Sequence, residues 1–378
     1  MTPTTDDMLP SDVPPKVDLA LCVDPLSLRR FRAVLRYLCV GLLDAAAQVR
    51  LVSPSLETES LMLGSVQHVF YRELSWPFRR RRLRSALDAL AARPPNIVHG
   101  LSGRSFHVAG QIARHYDAHL VLHAMDLEDV DALSPQGEHP ADRTVAGSQP
   151  ILEALLERGD VQRERLTLVK PGIVAGDEPT CFTRPQRIPT ILCTSQLIPA
   201  NGVDRLLEAL RLLRVGGHEF MAFLTGSGPM EQALRRTSQS SGLAPVATFA
   251  EPLGEAKQIM AGADLFVRPA IEGALSVRTL QAMGAGMAVV TVQGGADDAY
   301  LHEVTGLVCP DARPTTLAAA MERLLNDRPF ARTLATQAVQ HIKEHHSISA
   351  MCDGQLQVYY DLSLRDKTLL VDGSTTRG

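Results

Sequence analysis

Short apolar runs alternate with amphipathic helical stretches along nearly the whole chain, and this alternation constrains the fold more than any other feature. "VDLALCV" (Val17–Val23), "NIVHG" (Asn96–Gly100) and "HLVLHA" (His119–Ala124) read as strands, the first two followed by stretches of helical periodicity and the third by a loop. The strands are apolar throughout rather than alternately polar, as in parallel sheets covered by helices on both faces. The rhythm stops at residues 176–189, where three prolines fall among residues of mixed polarity. It restarts at "TILCTS" (Thr190–Ser195) and continues through "FMAFLTGSG", "ADLFVRPA" and "MAVVTVQGG". Two doubly wound α/β units joined by a linker are therefore expected. Ligands of such sheets bind outside the carboxyl ends of the strands, so the cleft between the units is the expected site.

The expected boundaries are a tail at 1–16, a first domain at 17–175, the linker at 176–189 and a second domain at 190–346. A helix at 347–364 and a tail at 365–378 follow. "RTVAGS" leads into "PILEALLERGD", where Ser148 is the expected cap and Pro150 lies in the first turn. Gly216 and Gly217 close the helix that starts near Val203.

Several function classes are disfavoured by what the motif positions hold. After the first strand stands "CVDPLSLRR" rather than the glycine-rich dinucleotide fingerprint. No P-loop lysine motif, GxSxG elbow or HExxH helix occurs. A net charge of −4 gives no global attraction to nucleic acid. The six cysteines form no CxxC pair and several lie in apolar runs, which predicts buried free thiols in a reducing compartment. The polar, proline-rich start lacks the pattern of a signal peptide, and no apolar stretch reaches the roughly 18 residues of a membrane span. The expected location is cytoplasmic. "WPFRRRRLR" sets Trp76 and Phe78 beside Arg79, Arg80, Arg81 and Arg82, a pattern suited to peripheral contact with an anionic membrane or to a solvated helix face.

Two segments carry chemistry. In "LTGSGP" a strand runs into Gly226-Ser227-Gly228, where glycine allows close backbone approach. In "IEGALSVRTLQAMGAGMAVV" (Ile271–Val290), Glu272 precedes a helix starting near Ser276. Free N–H groups at such a start suit a phosphate, and a carboxylate beside them suits sugar hydroxyls; a capping acid with ordinary packing is the plainer reading.

From about Val17 to Tyr360 the ordered set of motifs resembles glycosyltransferase family 4. The carrying segments are "IVHG" with "LVLHA", "VAGSQPILEAL", "VKPGIVAG", "SQLIPANGVDRLLEAL", "FLTGSGPMEQAL", "ADLFVRPAIEG" through "LQAMGAGMAVV", and "GGADDAYLHEVTGLVCP". The resemblance implies the glycosyltransferase B architecture: two facing Rossmann-like domains with parallel sheets and a last helix crossing back to the first domain. It implies transfer of a sugar from a nucleotide-sugar donor to a glycan or lipid-linked acceptor, with retained anomeric configuration and no metal or other cofactor. His123 and Glu272 take the catalytic positions. Gln196, Asn201, Gly226, Gly228, Gly273, Ala274, Leu275, Arg278 and Gln281 fall on the donor side.

The same resemblance exposes departures. Gln196 and Asn201 stand where the family places an arginine and a lysine, and neither can neutralise a diphosphate. Gln281 replaces a ribose-binding glutamate, and Glu272 lies one residue farther upstream than usual. "DPLSLRR" replaces a glycine-rich loop. Either the site is rewired, with Arg268 or Arg278 supplying positive charge, or the chain is a catalytically impaired partner subunit or binding module.

Overall fold

The structure, a computed structural model, describes residues 15–55, 66–72, 83–133, 140–184, 186–250, 260, 262–269 and 275–372. Its first sheet contains β1 (Asp18–Val23), β2 (Gln48–Ser53), β3 (Gln67–Phe70), β4 (Ile97–Leu101), β5 (His119–Ala124), β6 (Arg143–Ala146) and β7 (Leu166–Leu168). The order is β3-β2-β1-β4-β5-β6-β7, parallel throughout. The second sheet contains β8 (Thr190–Thr194), β9 (Met221–Thr225), β10 (Ala247–Ala250), β11 (Leu265–Val267), β12 (Ala288–Val292) and β13 (Leu307–Cys309). Its order, β10-β9-β8-β11-β12-β13, repeats the same winding, again parallel. The first strand of each sheet in chain order, β1 or β8, lies inside the sheet and is almost fully buried, as its largely apolar sequence requires. The two facing Rossmann-like sheets of the glycosyltransferase B architecture are thus present. All six cysteines are free and buried.

Each sheet reverses its order beside its first strand, between β1 and β4 and between β8 and β11. Loops leaving the carboxyl ends there form the crevice of this fold. The edges meet directly: the Leu275 N–H, after β11, donates to the Met125 carbonyl, after β5, at 3.2 Å.

The proline-rich connection is strapped onto the second domain rather than swinging free. The N–H groups of Thr180 and Cys181 donate to the Gly286 carbonyl, and that of Gly176 donates to Gly284. This explains the small residues of "AMGAGM". A Cβ at Gly286, whose φ is +77°, would lie 2.4 Å from Pro179 Cα, and one at Gly284 would lie 2.7 Å from the Val174 carbonyl.

The last helix, Ile348–Asp372, runs past the end expected at Leu364. It returns to the first domain, where Cys352 packs against Gly41 of the helix Arg32–Asp44. Just before it, the chain crosses the connection at close range: the Ile173 N–H donates to His346, and a Cβ at Gly172 would lie 2.7 Å from Ile348 Cα. Among the described residues no helix is long and apolar enough to cross a membrane.

Candidate donor site at the facing sheet edges

On the first-domain edge, helix starts are filled by the chain's own aspartates. Asp24 follows β1, and its carboxylate accepts from the Leu26 and Ser27 N–H groups at 2.9 and 3.2 Å. "DPLSLRR" is therefore a capped helix, Pro25–Arg30, with proline in its first turn. Asp129 is more heavily used. It accepts from the Ser102 hydroxyl at 2.9 Å and from the N–H groups of Gly103, Met125 and Asp126 at 2.6, 2.8 and 3.0 Å. One carboxylate thus staples the loops after β4 and β5. Burial still raises its pKa against the lowering effect of these donors.

His123 projects from β5 with only 6% of its surface exposed, and neither ring nitrogen has a hydrogen-bond partner among the described residues. Burial lowers its pKa to about 3, so it is neutral at pH 7. Its ring stacks on that of His99, with centroids 5.5 Å apart.

The expected cap on the helix Gln149–Arg158 is corrected. The Ser148 hydroxyl makes no cap bond, and Asp298 of the second domain accepts from the Gln149 N–H instead, at 3.3 Å. Asp298 also pairs with Lys170 at 2.6 Å. One carboxylate therefore joins the second-domain loop after β12 to two points of the first domain.

On the second-domain edge, Gly226 and Gly228 meet their own chain first. A Cβ at Gly226 would lie 1.8 Å from the Ser195 carbonyl oxygen, and one at Gly228 would lie 2.4 Å from that of Leu197. The Ser195 and Leu197 N–H groups donate to Thr225 and Ser227, each at 3.0 Å, so the two loops interlock. Asn201 is buried and its amide donates to the Gln196 carbonyl at 3.0 Å, closing that loop. Gln196 itself is exposed, with no side-chain hydrogen bond among the described residues.

The helix after β11 spans Val277–Gly284, capped by the Ser276 hydroxyl accepting from the Thr279 N–H at 3.3 Å. The Ser276 N–H points at the Asp297 carboxylate, 3.2 Å from each oxygen. Asp297 in turn pairs with Arg268 at 2.7 Å, with the two side chains 1% and 9% exposed. Burial pushes the Asp297 pKa up, and Arg268 opposes the shift. Arg268 is thus neutralised within the chain.

Arg278 differs. It is half-buried on the less buried face of this helix, together with Gln281. No carboxylate pairs with it among the described residues, and burial lowers its pKa from the ordinary guanidinium value. A cation in the first turn also opposes the helix dipole, typically at about 0.3–1 kcal/mol. The Gln281 side chain likewise has no hydrogen bond among the described residues. Leu275 uses its N–H on Met125, and its side chain abuts Gly147 of the first domain. Glu272, Gly273 and Ala274 lie outside the described residues, as do Trp76, Phe78 and Arg79–Arg82.

Sequence reasoning missed the aspartates. Asp24 before a proline is a local cap signal that could have been read; Asp297 and Asp298 act over long separations that no window reveals.

Comparisons with known proteins agree with this architecture. The chain is 32% identical over 154 residues to a GDP-mannose-dependent phosphatidylinositol monomannoside mannosyltransferase of Mycobacterium tuberculosis, spanning 38% of this chain and 40% of that protein. It is 26% identical over 243 residues to a GDP-mannose-dependent monoacylated counterpart from Corynebacterium glutamicum, covering 59% of this chain and 60% of that protein. The chain thus spans about two fifths to three fifths of the length of these curated relatives. The solved structure of HepE from Anabaena in complex with UDP-glucose superposes with a TM-score of 0.74 at 16% identity, covering 92% of this chain and 99% of that one. Residues 188–327, which hold the interlocked glycine turn, Arg268 and Arg278, match the family model described as Glycosyl transferases group 1.

Proposed function

We propose that this chain is a glycosyltransferase that moves a sugar from a nucleotide-sugar to a glycan or lipid-linked acceptor with retained anomeric configuration. The carrying observation is Arg278, a half-buried cation with no partner among the described residues, on the segment that matches the family model. A guanidinium in that state suits a diphosphate, which it can meet with two parallel charge-assisted hydrogen bonds. Arg278 thereby replaces the cations missing at Gln196 and Asn201. Gln281, one helical turn farther on the same face, offers an amide to the ribose hydroxyls.

The chemistry asked of the site is stabilisation of the departing diphosphate and of an oxocarbenium-like sugar. Arg278 supplies fixed positive charge at the leaving group. His123, neutral and without a hydrogen bond among the described residues, contacts the donor sugar, and Glu272 orients its hydroxyls. The reading includes no metal. The GDP-mannose dependence of two relatives and the UDP-glucose complex of a structural neighbour support the donor class without selecting its base.

Calorimetry with UDP, GDP, ADP and their sugars tests this. One nucleotide should bind, and Arg278→Ala should weaken it by about ten- to a hundredfold, the equivalent of roughly 1.4–2.8 kcal/mol. An absence of binding at millimolar ligand defeats the proposal. A second reading, a non-catalytic binding subunit, is favoured by Asp297 standing at the helix start that a phosphate would use. Nucleotide binding without turnover on any acceptor would select it.

A further inference from the structure

We infer that Tyr359, on the last helix, is a positioning residue for His123 and acts through the ring of His99. This rests on the reading that His123 meets the donor sugar. Tyr359 and His99 are fully buried, and the Tyr359 hydroxyl lies 2.6 Å from His99 Nδ1. The two rings meet edge-on at 5.9 Å and 73°. His99 stacks in turn on His123 at 18° between ring planes. Strand register accounts for the stack. His99 pairs with Val121 and Leu101 pairs with His123, so the two histidines are diagonal neighbours on one face of adjacent parallel strands.

Hydrogen bonds ordinarily fix an imidazole's rotation, and neither nitrogen of His123 has one among the described residues. Its plane is therefore set by the ring it lies against. The rotation of that ring is set by the single bond from Tyr359. His99 Nε2 is buried without a partner among the described residues, and none of these besides Tyr359 orients His99 by hydrogen bonding. A phenylalanine and two leucines would fill the same space without buried polar atoms, which are costly to leave unsatisfied. A polar chain ending in a ring with two unused nitrogens at the carboxyl end of β5 is suited to orienting that ring toward a ligand. Both histidines are held neutral by burial, and His123 further disfavours a charge on His99, so the stack presents lone pairs and N–H groups rather than positive charge.

The test is Tyr359→Phe in the full chain, which keeps the ring and removes the hydroxyl. The first readout is the side-chain nitrogen and proton resonances of His123 in isotope-labelled protein without ligand. Shifted or broadened His123 signals, with the rest of the spectrum unchanged, support the inference; unchanged signals overturn it, whether or not the chain proves to be a transferase. The second readout is turnover with the nucleotide-sugar that calorimetry identifies. A fall in kcat of about fivefold is expected, what a lost hydrogen bond of about 1 kcal/mol gives, with donor KM and free-nucleotide affinity within twofold. Equal losses in nucleotide affinity and kcat would mark a merely structural role and overturn it. Should Tyr359→Phe fail to fold, His99→Phe, which keeps a stacked ring and drops the bond, faces the same two readouts. Failure of wild-type protein to bind any nucleotide defeats the transferase reading alone, since the resonance experiment stands without it.

Discussion

The two facing edges follow the same winding but use their helix starts differently. On the first-domain edge Asp24, Asp129 and the incoming Asp298 occupy the N–H groups that a phosphate would seek. Its one distinctive side chain, His123, is neutral. On the second-domain edge one helix start is filled by Asp297, yet Arg278, Gln281 and Gln196 have side chains unbonded among the described residues. The helices Val203–Val215 and Glu231–Ser240 begin there without any side-chain cap. Under the proposed function this contrast separates duties: the anion would meet Arg278 on the second edge, and the sugar would meet the neutral His123 on the first.

The largest expected effect tests whether Asp297 is structural. Asp297→Ala leaves the buried Arg268 without its carboxylate, and urea denaturation should report a loss of about 3–5 kcal/mol. Wild-type stability with sharply improved nucleotide binding would instead make Asp297 a stand-in for the ligand, and the contrast between the edges would narrow.

Acid should weaken the first edge more gradually. The pKa of His123 falls from the ordinary 6.5 to about 3 on folding, and that of His99 falls as well. The unfolded chain therefore binds protons below about pH 6.5 that the folded chain refuses. Stability is fully present above that value and falls by about 1.4 kcal/mol per pH unit for each histidine on acidification. His346, lowered to about 4 by burial, adds to the same loss. Asp129 and Asp297, whose values are raised, work the other way, since their folded forms take up protons more readily than the unfolded chain. Thermal melts between pH 7 and pH 5 of wild type and His123→Phe check the histidine contribution: the wild-type midpoint should fall more on acidification, and an equal pH dependence in the two chains would mean that His123 is charged when folded.

The smallest effect sharpens the second edge. Gln281→Glu restores a carboxylate three residues from Arg278 on the same helix face. It should change nucleoside affinity by only a few fold, upward if a ribose hydroxyl lies there and downward if the new charge instead pairs with Arg278. Calorimetry with and without the ribose hydroxyls distinguishes these outcomes.

The fold was readable in the sequence where its elements obey local rules, whereas the short strands β3 and β10 and the helix Leu127–Ala132 carry too little pattern to be read. "VDLALCV" and "TILCTS" become β1 and β8 within a residue at either end, and Ser276 caps the helix it was expected to begin. The site was readable only where local geometry decides. Gly226 and Gly228 do need glycine, but the close neighbours are the carbonyls of Ser195 and Leu197, supplied by a loop about thirty residues earlier. Ser148 has the right identity and position for a cap, yet Asp298 holds the adjacent N–H from 149 residues away. Likewise the His99–His123–Tyr359 cluster draws on two strands and a helix that only folding brings together.

The crossing of Gly172 and Ile348 gives the molecule a mechanical character. The chain passes between its halves twice, and the outgoing and returning passages touch at that point, tied by the bond from Ile173 to His346. Two cords fastened at one point resist sliding of one half past the other more than a single strand would, and the bond from Leu275 to Met125 holds the register of the two edges across the cleft.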